Sequence, residues 1–157
     1  IGYVIRSMKP LETFDFQIRK SWIALSKMYN EQVAQYGLTV AMGFALLNID
    51  IKKGTPSTSL GPKMGMESTS LSRLLNSLEK QALISRESNP HDGRSVLIKL
   101  THEGLKMRDY SRQAVLDFNH QVLSEVTEEE VRGFFKVMTR VSEVVETHRA
   151  EETIKMT

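Results

Sequence analysis

The chain has no cysteine among its 157 residues. That single absence excludes disulfide frameworks, thiolate zinc sites, cysteine nucleophiles and thiol redox switching, and it fits a reducing cytoplasm. No apolar run nears the ~18 residues that a membrane span requires, so no membrane partner is expected. Proline occurs only four times, and no low-complexity tract, internal repeat or long linker interrupts the pattern. The opening residues Ile1-Gly2-Tyr3-Val4-Ile5-Arg6 lack the charged start, apolar stretch and cleavage site of a secretory leader. An Ile in place of Met points to a trimmed start. What is present is ordinary: 40% hydrophobic and 25% charged residues, enough to bury one domain or two small units sharing a core.

The net charge of +2 is unevenly spread. Residues 1–51 carry +1, residues 52–103 carry +3 and residues 104–157 carry −2. A basic middle and an acidic tail hint at a polyanion partner for the middle alone, although scattered surface lysines would give the same sums.

Apolar spacing sets the elements. Phe14, Ile18, Trp22, Leu25, Tyr29 and Val33 recur at steps of three and four, which predicts a helix from Leu11 to Tyr36 ended by Gly37. Thr39 is the expected cap of a second helix running through Ile51 to the Lys52-Lys53-Gly54 stop. Thr55-Pro56 reads as a cap and first-position proline for a short helix, with Pro62 inside it and Gly65 as its end. A fourth helix spans Ser68 to Gln81. After Leu83 the period falls to two, so Ile84–Ser88 and Ser95–Leu100 read as a hairpin around Asp92-Gly93. Thr101 opens a fifth helix, and Thr127 with Glu130 forms a capping box for the sixth.

On the fourth helix Leu71, Leu74, Leu75 and Leu78 share one face. Thr69, Arg73, Asn76 and Lys80 lie near the opposite pole, which carries no carboxylate. Arginine, asparagine, serine and threonine pair with base edges and phosphates; taken alone, the same face would also serve as a plain solvated surface. The neighbours weigh against that. A short helix, a tight turn at Met64-Gly65-Met66, an amphipathic helix and a basic-tipped hairpin make a winged helix-turn-helix layout.

Asp92-Gly93-Arg94-Ser95-Val96-Leu97-Ile98-Lys99-Leu100-Thr101-His102-Glu103-Gly104 resembles the D-x-R…L-T-x-x-G wing signature of the multiple-antibiotic-resistance regulator (MarR) family. Ser68–Ile84 is similar to that family's recognition helix and the strand entry after it. The resemblance extends over nearly the whole chain in helix number and order. It implies a mainly α fold with a small β-hairpin wing (α+β), in which residues 1–36 and 104–157 form a helical dimerisation body and 37–103 the DNA-binding lobe. Two departures are visible: Pro62 sits where the family has ordinary helix formers, and the reactive cysteine of its thiol-sensing branch is missing.

The implied function is sequence-specific transcription regulation, with repression expected. A homodimer would bind a palindromic operator in double-stranded DNA and be released by a small effector, with an aromatic one as the candidate. Ser68, Thr69, Ser70, Arg73, Asn76, Lys80 and Arg94 are the expected DNA contacts. Asp92 supports the wing rather than touching phosphate. Trp22, Tyr29 and Tyr110 are candidates for lining an effector pocket, with an ordinary core role as the alternative. His91, His102, His120 and His148 have no metal-cage spacing. Neither a catalytic triad nor a nucleotide-binding glycine loop is present, so no enzyme, cofactor or metal is expected. The rival reading is a winged-helix protein-interaction module without DNA binding.

Overall fold

The computed structural model describes residues 9–89 and 95–155. The wing-tip residues His91, Asp92, Gly93 and Arg94 therefore lie outside the described residues. Two compact units divide the chain, residues 1–114 and 115–157.

In the first unit, a 3₁₀ turn at Pro10–Glu12 precedes α1 (Phe14–Val33), and a second 3₁₀ turn at Ala34–Tyr36 follows it. The expected single helix is thus three pieces, because the extended backbone of Thr13 breaks the ladder before Phe14. Gly37 (φ 67°) turns the chain by accepting the left-handed conformation a side chain resists. Thr39 caps α2 (Val40–Asn48) as expected, its hydroxyl accepting from the Met42 amide at 3.3 Å. Asn30 Oδ1 accepts from the Val40 amide at 2.8 Å and ties the start of α2 to α1.

The second helix stops at Asn48, short of Ile51. Asp50 is the reason: its carboxylate accepts from the amides of Lys52 (2.8 Å) and Lys53 (2.7 Å), building a turn in place of another helical round. Thr55–Pro56 then forms a strand, β1, and not the expected helix cap. The Thr55 hydroxyl accepts from the Asp50 amide at 2.9 Å, while β1 pairs antiparallel with β3 in the register Thr55↔Ile98 and Pro56↔Leu97. Proline fits here because an edge strand need not donate from every residue.

α3 (Ser57–Met64) contains Pro62 without ending there. α4 (Ser68–Lys80) follows after Gly65, then the hairpin of β2 (Ile84–Ser88) and β3 (Val96–Leu100) in the order β1-β3-β2. The core of this unit gathers Leu38, Leu46 and Ile49 from the α2 segment, Leu60 from α3, Leu71, Leu75 and Leu78 from α4, and Ile84 and Ile98 from the sheet. Each such side chain contributes on the order of 1.5–3 kcal/mol by leaving water. α5 (His102–Ser124) begins in this unit, where the Thr101 hydroxyl accepts from the Gly104 amide at 3.0 Å and donates to the Ala82 carbonyl at 2.7 Å.

The second unit holds the end of α5 and all of α6 (Glu128–Lys155). The capping box forms as expected: the Thr127 amide donates to Glu130 Oε2 at 2.8 Å and the Glu130 amide to the Thr127 hydroxyl at 3.3 Å. The Thr127 amide and the Thr127 hydroxyl, each donating to the carboxylate at 2.8 Å, hold the Glu130 carboxyl below its ordinary pKa. No residue of α6 is buried.

Candidate nucleic-acid interface

Two helix ends aim the outer face of α4. Between α3 and α4, the Gly65 amide donates to the Pro62 carbonyl (3.3 Å) and the Met66 amide to that of Gly61 (2.9 Å). This pair of bonds closes a helix in a Schellman motif, with Gly65 left-handed at φ 61°. At the far end of α4 the same motif recurs, with Ala82 donating to Glu79 (2.8 Å) and Leu83 to Leu78 (3.0 Å). Here the left-handed residue is an alanine, at φ 55°.

Burial divides α4 cleanly. Leu71, Leu75 and Leu78 are buried and Leu74 is half-buried, whereas Ser68, Thr69, Ser70, Arg73, Asn76 and Lys80 are all exposed. Every expected contact on this helix therefore lies on its solvent side. No side chain caps the first turn, so its amides keep the positive end of the helix dipole for an outside anion.

Charge is distributed to match. Arg86 Nη1 neutralises Glu79 at 3.0 Å, and Lys99 Nζ neutralises Glu87 at 2.6 Å. Arg73 and Lys80 on α4 and Lys63 on α3 have no ion-pair partner among the described residues. Glu79 and Glu87 are thus cancelled, Glu67 before the first turn of α4 keeps its charge, and the cations of the helix-turn-helix stay free. That leaves a positive face.

Asn76 is exposed yet not free: Arg86 Nη2 donates to its Oδ1 at 2.7 Å. Arg86 escaped the sequence reading, although strand register carries the signal. Ile84 points to the core, so Arg86 two residues on shares its side of β2, and an arginine there needs an acceptor.

The three effector candidates each have packing partners. Tyr29 is 6% exposed, and burial pushes its phenol above the ordinary pKa. Trp22 is half exposed and stacks on Phe44, with ring centroids 5.9 Å apart. Tyr110 donates to the Gln32 carbonyl at 3.2 Å and meets Tyr36 edge-on at 4.5 Å. A separate cavity of about 360 Å³ lies within residues 115–157, lined by Val122, Leu123, Val126, Val131, Phe134 and Phe135 with Asn119 and Glu130. Among the described residues no group of three His, Asp or Glu is placed to hold a metal ion. None of their helices is long and apolar enough to cross a membrane.

A short helix, a tight glycine turn, a second helix with an open basic face and an antiparallel wing define a winged helix-turn-helix protein. Residues 38–96 match the MarR family. YdgJ of Bacillus subtilis, an uncharacterized HTH-type transcriptional regulator, is 30% identical over 84 residues, 54% of this chain. The chain spans about half of YdgJ's length (51%). The HTH-type transcriptional regulator MhqR of B. subtilis is 27% identical over 131 residues, which cover 78% of this chain and 89% of MhqR. The fold is that of MepR from S. aureus, crystallised in complex with DNA. The TM-score is 0.78 at 20% identity, over 84% of this chain and 98% of that one.

Proposed function

We propose that the protein is a sequence-specific DNA-binding transcription regulator, acting in the cytoplasm as a homodimer and without catalytic activity. The observation that carries this reading is the solvent face of α4. It is uncapped, free of unneutralised carboxylates at its centre, and backed by a leucine face that fixes its orientation. Thr69 and Arg73 in the first two turns are the residues that reach base edges, with Ser68, Ser70 and Lys80 positioning the helix on phosphates. Arg94 at the wing tip serves the minor groove, with Asp92 holding the wing in shape.

Residues 37–103 act as the reading lobe in this account, and residues 1–36 with 104–157 as the paired body. Uncovered apolar side chains support the pairing. In the first unit Phe14, Trp22 and Ile23 are 60%, 48% and 57% exposed; in the second, Phe134, Phe135 and Val144 are 59%, 63% and 56% exposed. Apolar surface on this scale marks an interface. Two lobes then meet a palindrome with half-sites about 34 Å apart. The likeness to MepR, crystallised in complex with DNA, supports DNA as the partner, and PcaV of Streptomyces coelicolor, of similar fold, was crystallised with its natural ligand. An effector at Trp22, Tyr29 and Tyr110 that favours one spacing of the lobes would release the operator, giving repression relieved by ligand.

Selection of bound sequences from random duplex DNA tests this. Enrichment of one palindromic motif is expected. Recovery of unenriched DNA, with affinity independent of salt, would instead support a protein-interaction module.

A further inference from the structure

We infer that Arg86 fixes what Asn76 can read, making Asn76 a hydrogen-bond donor toward DNA and not an adenine reader. The inference rests on the DNA-binding reading above and deepens it. A guanidinium offers donors only, so the amide atom facing Arg86 Nη2 at 2.7 Å is the Asn76 oxygen, and the NH₂ group is left for an outside partner. Arg86 is itself anchored, since its Nη1 lies 3.0 Å from Glu79 Oε2. Asn76 and Glu79 stand three residues apart on α4, on adjacent turns of one side. Turning the Asn76 amide over would place NH₂ against a guanidinium and forfeit a charge-assisted bond.

The usual asparagine–adenine pair is bidentate: the oxygen accepts from N6 and the NH₂ donates to N7. The Arg86 bond takes one of the oxygen's two lone pairs and holds the amide toward β2. That disfavours the in-plane pair with N6 and N7 while leaving the NH₂ group to donate. Asn76 is matched instead to acceptor-only edges, namely N7 and O6 of guanine or O4 of thymine. Arg86 is thereby a positioning residue for specificity that needs no contact with DNA.

Selection on random duplexes with the full chain tests this, comparing wild type, Asn76→Ala, Arg86→Ala, the double variant and Arg86→Lys, with a thermal melt of each. One symmetric base-pair position should lose a guanine or thymine preference in Asn76→Ala. At that position Arg86→Ala should shift preference toward adenine by about fivefold, Arg86→Lys should retain the wild-type preference, and the double variant should match Asn76→Ala. An adenine preference at the Asn76-dependent position in wild type overturns the inference, even if every Arg86 variant unfolds. So does an Asn76→Ala profile identical to wild type, an Arg86→Ala shift that persists without Asn76, or a lowered melt with preference unchanged. Wild type enriching no motif would instead sink the DNA-binding reading itself.

Discussion

Gly104 admits no side chain, because a Cβ there would lie 1.8 Å from the Leu83 carbonyl oxygen. Gly104→Ala should cost about 3 kcal/mol or more, measured as a loss of folding in denaturant. Gly133, on α6, is the opposite case. Nothing lies within 4 Å of its missing Cβ, so Gly133→Ala should stabilise by about 0.5–1 kcal/mol through helix propensity. At the interface, Arg73→Ala should cost roughly 1–3 kcal/mol on the selected site and relax preference at one symmetric pair of positions. Lys80→Ala should weaken all duplexes alike and lower the salt slope by about one; titrations on matched and swapped duplexes separate the two. Arg73 was legible in the sequence because helical periodicity alone places it opposite Leu71 and Leu75. The clamp on Asn76 was not, since it joins residues ten apart on two different elements.

The helix ends show why some elements were legible and others were not. Gly37 and Gly65 announced their turns, as glycine tolerates the left-handed backbone they adopt. Ala82 adopts it too, and nothing in an alanine says so. Ala82→Gly should therefore raise stability by about 1 kcal/mol, the left-handed strain exceeding the added freedom of the unfolded chain. β1 was missed because two residues have no period, and Thr55-Pro56 carries a helix-start signature that pairing with Ile98 and Leu97 overrides. The Asp50 turn overrode periodicity in the same way. Amide bonds from Lys53 and Lys52 hold its carboxyl below the ordinary range. A depressed carboxylate stabilises fully above its unfolded pKa and loses that contribution as pH falls through the folded value. Denaturant midpoints should thus show a smaller fall between pH 7 and pH 3 for Asp50→Asn than for wild type; an identical fall would contradict the turn's role.

At the scale of the molecule, the exposed faces of α1 and α6 call for a second copy. Sedimentation at micromolar concentration should give a dimer of the 17.9 kDa chain, and a folded monomer would contradict the proposed body. With no cysteine, thiol oxidants should leave DNA affinity unchanged, and a prompt loss reversed by dithiothreitol would contradict that. Fold class was legible because the leucine face, the period change after Leu83 and the capping threonines agree with one another. The central claim is that the open basic face of α4 reads sequence, and it is tested most directly by anisotropy titration. Wild type and Arg73→Ala are each titrated against the selected duplex and a scrambled duplex at several salt concentrations. The account predicts that wild type prefers the selected duplex by at least about 10³-fold, with affinity falling steeply as salt rises, and that Arg73→Ala loses much of that preference. Equal affinity of wild type for both duplexes, or a preference that survives Arg73→Ala intact, would contradict it.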